Sequence, residues 1–198
     1  MTISAGYTDD WPALVSYRDL PEKGLTRFGL DKAVDDGVFE RIAPGLFARS
    51  GATDDTTLAQ AVIALKRPAS TLCLLSAAAL HDLTDEIPRA TDVAIPRGTH
   101  PIKVKTAPVE WHRFDVDTFD VGRGERDLFD GLRIGLYSPQ RTIVDLFRLR
   151  HIWGQDLAID VLKRWLRRRG STASSLLAVA KRFPAAYPAV HSALEVLL

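Results

Sequence analysis

The segment "VFERIAPGLFARSG", Val38 to Gly51, constrains the fold more than any other stretch of the chain. Two short runs of alternating apolar and polar residues flank Pro44-Gly45, a dipeptide that turns the chain back on itself, so a two-stranded hairpin is predicted. Upstream, Thr26 is placed to open a helix whose apolar residues Phe28, Leu30, Ala33 and Val34 have the spacing of one buried face. Gly37 follows where a helix end favours a left-handed residue. Before that, Trp11 to Leu20 reads as a short helix stopped by Pro21. Two helices and a hairpin in this order outline a winged helix-turn-helix, covering residues 1–52.

A polar "GATDDTT" stretch then marks a boundary, and residues 53–198 are expected to form a second, larger α/β domain. Asp54, Asp55 and Thr56 precede a helix from Leu58 to Lys66, and a second short helix is predicted around Ser76 to Leu83. Between Thr91 and Tyr137 the runs "TDVAIP", "IKVKTAPVEWHRF", "TFDVG" and "LRIGLYS" read as strands, with a turn in "VGRGERDLF". Ser138-Pro139 supplies an N-cap and a first-turn proline for the helix "RTIVDLFRL". Asp156–Arg169, Thr172–Phe183 and Ala185–Leu198 complete a helical C-terminus, divided by Gly170 and Pro184. The expected class is mixed α/β.

The chain's 198 residues carry a net charge of +1, so attraction to nucleic acid or membrane must be local rather than global. From Ser138 onward ten basic residues face four acidic ones, a net +6, leaving −5 on the remainder. Five of these cations, Lys163, Arg164, Arg167, Arg168 and Arg169, crowd the end of one helix around Trp165 and form a candidate partner-binding surface. In the N-terminal unit, Thr26, Arg27 and Lys32 on the helix, with Arg41 and Arg49 on the hairpin, are the candidate DNA-binding residues. Acidic Asp31, Asp35, Asp36 and Glu40 lie among them.

Catalytic and metal signatures are weak. "VGRGERDLF" lacks the spacing and the Lys-Ser/Thr ending of a phosphate-binding loop. The five histidines are scattered without zinc spacing. A metal-dependent nuclease built on Asp92 with Lys103 or Lys105 lacks the acidic residue two positions before either lysine. The lone Cys73, in an apolar run, reads as a core residue and suits a reducing compartment. Met1 to Asp10 has no signal-peptide pattern, and no run is long and apolar enough to span a bilayer. A cytoplasmic protein without cofactor, metal or catalytic residues is expected.

Four stretches, "GLTRFGLDKAVDDGVFERIAPGLFA", "LLSAAALHDLTDEIP", "TDVAIPRG" and "LYSPQRTIVDLFR", occur in an order that resembles the AbiEi family of antitoxins. The Pro44-Gly45-Leu46-Phe47 hairpin and the Ser138-Pro139-x-Arg141-Thr142 helix start with Asp145 carry the likeness best. The resemblance implies an N-terminal winged helix that binds the operon's own promoter DNA, Thr26, Arg27 and Lys32 facing the groove and Arg41 and Arg49 the backbone. It also implies a C-terminal α/β domain that opposes a cognate nucleotidyltransferase-like toxin. An enzyme that covalently modifies its toxin, or a toxin-binding module whose winged helix no longer binds DNA, are the alternatives left open.

Overall fold

The computed structural model describes residues 11–129 and 131–198. The N-terminal ten residues, to which the signal-peptide reading applied, lie outside the described residues. The chain folds as a mixed α/β protein in which two sheets lean on opposite sides of one helix.

Strand β1 (Leu14–Ser16), helix α1 (Arg27–Asp35) and the hairpin strands β2 (Phe39–Ala43) and β3 (Leu46–Arg49) form the first unit. Its antiparallel sheet has the order β1-β3-β2, with Val15 opposite Phe47 and Leu14 opposite Ala48. The helix expected over Trp11–Leu20 is instead β1 followed by turns. Two local facts decide this. Leu14 and Val15 alternate to feed opposite faces of the sheet, and the Asp19 carboxylate accepts from the Ser16 hydroxyl (2.7 Å) and N–H (3.2 Å), turning the chain after the strand.

Helix α1 begins and ends where its residues dictate. Thr26 Oγ1 accepts from the Gly29 N–H at 3.0 Å. At the other end Gly37 takes a φ of +75°. The N–H groups of Gly37 and Val38 then close onto the Val34 and Ala33 carbonyls. Leu30 and Ala33 pack on the sheet with Val15, Phe39 and Phe47. Phe28, expected on the buried face, is 79% exposed. It lies two positions, about 200° around the helix, from the buried Leu30, so it faces away from the sheet.

The other face of this small sheet, with Leu14, Ile42, Leu46 and Ala48, packs on Leu58, Ala61 and Val62 of helix α2 (Asp55–Lys66). Every residue from Leu58 to Ala64 is buried, as a helix covered all round must be. Ile63 and Ala64 look the other way, onto Leu72, Val93 and Ile134 of the second sheet.

That sheet contains β4 (Thr71–Leu72), β5 (Thr91–Pro96), β6 (Val109–Phe114), β7 (Arg123–Asp127) and β8 (Arg133–Tyr137), in the order β6-β5-β4-β8-β7. β5–β6 and β4–β8 run parallel, whereas β4–β5 and β7–β8 are antiparallel. Three expectations change here. "TFDVG" is not a strand: the Asp115 side chain caps a short helix α4 (Val116–Phe119), and Gly122 turns the chain with φ +70°. "GRGERD", expected as a turn, is the edge strand β7, whose charged residues suit an edge that meets water. In "IKVKTAPVEWHRF" only Val109–Phe114 pairs as a strand. Residues 101–105 join no sheet, yet they alternate the partly buried Ile102 and Val104 with the exposed Lys103 and Lys105.

Helices α3 (Leu74–Leu80), α5 (Pro139–Arg148), α6 (Arg150–Trp153), α7 (Gln155–Leu166), α8 (Ala173–Ala180) and α9 (Tyr187–Leu197) complete the chain, with α3, α5, α7, α8 and α9 burying the far side of the second sheet. Ser138 caps α5 by accepting from the Arg141 N–H, with Pro139 in the first turn. Within α5 the guanidinium of Arg141, 0% exposed, donates to Asp145 (2.8 Å) and to the Thr118 and Val121 carbonyls (both 2.7 Å). It lies over the rings of Tyr137 (4.2 Å) and Phe183 (4.4 Å). Arg148 reaches the second Asp145 oxygen at 3.0 Å. Burial pushes the Asp145 carboxyl above the usual carboxylate range, and the two arginines oppose that rise. Gly122 completes the clamp: a Cβ there would stand 2.8 Å from Arg141 Cβ.

Candidate nucleic-acid interface

The candidate DNA-binding residues lie on two neighbouring elements. Arg27, Phe28, Asp31, Lys32 and Asp35 make up the exposed surface of α1, so its two cations alternate with two carboxylates. Arg27 is not free to wander: its guanidinium rests 4.6 Å from the centre of the Tyr17 ring, which in turn meets Phe47 edge-on at 5.1 Å. The turn after β1 thus fixes the cation at the helix N-terminus. Thr26 spends its oxygen as the cap acceptor and keeps only its hydroxyl proton for a partner. Arg41 is exposed on the edge strand β2. Arg49 is the half-buried last residue of β3, held by its N–H to the Ala13 carbonyl at 2.9 Å.

Arg41 also borders a feature that sequence reasoning missed. With Ile42, Ala43 and Pro44 of the hairpin, Lys66 at the end of α2, and Ile102, Lys103 and Lys105, it lines a groove of about 520 Å³. The four cations come from segments more than sixty residues apart at the extremes, so only the tertiary fold brings them together. The "KVK" alternation is the one local signal, and such alternation predicts a strand.

The second basic cluster is divided by its own contacts. Arg164 makes a two-pronged ion pair with Asp85, Nη1 to Oδ1 at 2.8 Å and Nη2 to Oδ2. That pairing holds the Asp85 carboxyl below its usual range and raises the guanidinium. Arg168 donates to the Asp82 carbonyl at 2.9 Å, and Lys163 lies 3.6 Å from Asp160. Arg164 and Arg168 therefore fasten the end of α7 to the loop after α3. Arg167 and Arg169 remain exposed, and Trp165 is buried in the core.

Asp92 forms no ion pair with Lys103 or Lys105 among the described residues. The Asp92 carboxylate, 3% exposed, accepts from the Ser76 N–H and hydroxyl and pairs with His112 Nε2 at 2.9 Å. Here the carboxylate stands between serine and histidine. Nucleophilic catalysis needs the histidine on the hydroxyl, so this arrangement orients β5 against α3 rather than activating Ser76. Among the described residues no group of three or more histidine, cysteine and acidic side chains is gathered to hold a metal. Cys73 is buried, and burial pushes its thiol well above the ordinary range, which leaves it unreactive. No described helix is long and apolar enough to cross a membrane.

These features define a mixed α/β protein carrying a strand–turn–helix–hairpin unit with a cationic rim. No protein-family model matches the chain, and no curated protein matches it. Among solved structures it is similar to the crystal structure of the RV2827C protein from Mycobacterium tuberculosis, with a TM-score of 0.52 and 17% identity over 95% of this chain and 76% of that one. That likeness bears on the fold alone.

Proposed function

We propose that the protein is the antitoxin of a toxin–antitoxin operon: it binds its own promoter through a winged helix-turn-helix and opposes a nucleotidyltransferase-like toxin. One observation carries the DNA-binding half. Helix α1, with Arg27 and Lys32 outward, lies against a sheet of order β1-β3-β2 whose terminal hairpin bears Arg41 and Arg49. In such a unit the helix N-terminus enters the major groove and the hairpin follows the backbone. Thr26, Arg27 (positioned by Tyr17) and Lys32 face the groove, while Arg41 and Arg49 meet the phosphate backbone. The antitoxin half rests on the resemblance of the four sequence stretches to AbiEi proteins. This reading places the protein in the cytoplasm, needs no cofactor and gives it no catalytic residue. The exposed Arg167 and Arg169 are then free to meet an acidic surface of the toxin, beside Lys163, Arg164 and Arg168, which already have partners within the chain.

Fluorescence anisotropy with the duplex directly upstream of the gene, against a shuffled duplex of equal length, tests the first half. Preferential binding that Arg27→Ala relaxes is the expected result; equal affinity for the two duplexes overturns it. Co-expression with the adjacent gene tests the second, and growth arrest that this protein fails to relieve overturns it.

A further inference from the structure

We infer that the groove between the hairpin and the second sheet is a phosphate-backbone track, extending the DNA-binding surface from the hairpin onto Lys66, Lys103 and Lys105. This inference rests on the DNA-binding reading above and adds to it a contact surface that lies outside the helix–hairpin unit.

The first ground is electrostatic. Several cations elsewhere on the described surface sit beside carboxylates: Arg97 beside Asp115, Arg133 beside Glu125 and Asp127, Lys163 beside Asp160, and Arg164 beside Asp85. The groove lining holds Arg41, Lys66, Lys103 and Lys105 and not one carboxylate. None of the four has an ion-pair partner among the described residues. Like charges gathered without counter-charge repel, a cost that an anionic partner removes. The acidic start of α2, Asp54 and Asp55, is no substitute. It lies eleven residues along the helix from Lys66, about 16 Å at 1.5 Å per residue, beyond the screening length of about 8 Å in physiological salt.

The second ground is placement. Ile102 and Val104 pack into the apolar layer beneath, which anchors the segment and leaves Lys103 and Lys105 exposed. Lys66 sits in the last turn of α2, a helix buried on both sides. The lysines thus project from rigid supports. Pro44, at the hairpin turn, and Arg41, on its first strand, border the same groove. A backbone strand that meets the hairpin as a wing therefore continues into the groove without a break in positive charge. Lysines on such a track neutralise phosphates without reading sequence.

The test compares the full chain with Lys103→Gln/Lys105→Gln, and with Lys181→Gln/Arg182→Gln as a control that removes equal charge at the exposed end of α8. Binding to the upstream duplex and to the shuffled duplex is measured by anisotropy between 50 and 200 mM salt, after melts establish that each variant is folded. Each lost phosphate contact lowers the steepness of log affinity against log salt by about 0.9. The groove variant should therefore be about 1.8 shallower, so the unmodified protein loses roughly tenfold more affinity than the variant over that fourfold range of salt. Preference for the upstream duplex should stay unchanged, and the control should match the unmodified protein. If the unmodified protein binds both duplexes with an unchanged slope in the groove variant, or if the control falls equally, the track is refuted while DNA binding stands. If the unmodified protein binds neither duplex, both readings fail.

Discussion

Replacing Arg141 by methionine tests the clamp at the centre of the helical layer. The substitution keeps most of the side chain's volume and removes its charge and donors. Left behind are the Asp145 carboxylate, 0% exposed, and the Thr118 and Val121 carbonyls that Arg141 Nη1 satisfies at 2.7 Å each. Breaking a buried ion pair from one side costs about 3–5 kcal/mol, and an orphaned buried acceptor costs about 1–3 kcal/mol. These costs overlap, and Arg148 still holds one Asp145 oxygen at 3.0 Å. A loss of about 3–5 kcal/mol is therefore expected, a large share of the roughly 5–15 kcal/mol that stabilises a typical domain. For a chain of this size that is a fall in Tm of roughly 6–20 °C. The double variant Arg141→Met/Asp145→Leu should lose less than the two single variants added together, because it leaves no buried carboxylate behind. The sign of the Asp145 shift agrees. Its folded-state pKa lies above the unfolded value, so the stability this group adds is present at acid pH and lost as pH rises through the raised value. Thermal and urea melts of the three variants at pH 7, and of the unmodified protein at lower pH, measure these effects. A loss below about 1 kcal/mol for Arg141→Met, or strict additivity in the double variant, would refute the reasoning.

Three further outcomes are expected. Gly135→Ala places a Cβ 2.6 Å from Thr71 Oγ1 and 2.7 Å from the Ser70 carbonyl, where β4 and β8 pair; melts should show a loss of about 1–3 kcal/mol, and an unchanged Tm would mean the strands part freely. Asp54→Ala removes the α2 cap and should cost about 1 kcal/mol at pH 7. Because hydrogen bonds from the Thr57 hydroxyl and N–H hold the Asp54 carboxyl below its ordinary 3.8, that difference should persist above this pH and fade as pH falls below it; a pH-independent difference contradicts the assignment. A fragment beginning at Thr53 uncovers Leu58, Ala61 and Val62, which the small sheet buries, so it should aggregate or bind a hydrophobic dye at concentrations where the full chain does not; a monomeric, dye-silent fragment would show that α2 needs no cover.

The features legible in the sequence are those fixed by chemistry within one turn of chain. Thr26, Gly37, Pro44-Gly45 and Ser138-Pro139 each act on residues a few positions away, and each delimits an element at the expected place. What escaped depends on partners far along the chain. β1 has three residues and acquires its identity from β3, some thirty residues later. β4 has two and lies at the centre of its sheet. β7 is polar because it is an edge, and an edge is defined by what does not pair with it. Phe28 and Leu30 are equally apolar in a helical pattern, yet only Leu30 meets the sheet.

Charge shows the same divide. Summed along the chain, the basic residues point to the last sixty positions, and within them to Lys163–Arg169. In the fold, Arg164 is matched by Asp85 and Arg168 is tied to the Asp82 carbonyl, with both partners drawn from the acidic remainder. The uncompensated cations of the groove come from that acidic remainder too, because Asp31, Asp35, Asp54 and Asp55 occupy other surfaces. A segment's net charge counts every residue once, whereas a phosphate within reach of the surface responds to those inside a screening length. For a chain of net charge +1, the local counts are the ones to compare: four cations without a carboxylate line the groove beside the hairpin, while at the end of α7 Asp85 offsets Arg164 and leaves Arg167, Arg168 and Arg169 exposed.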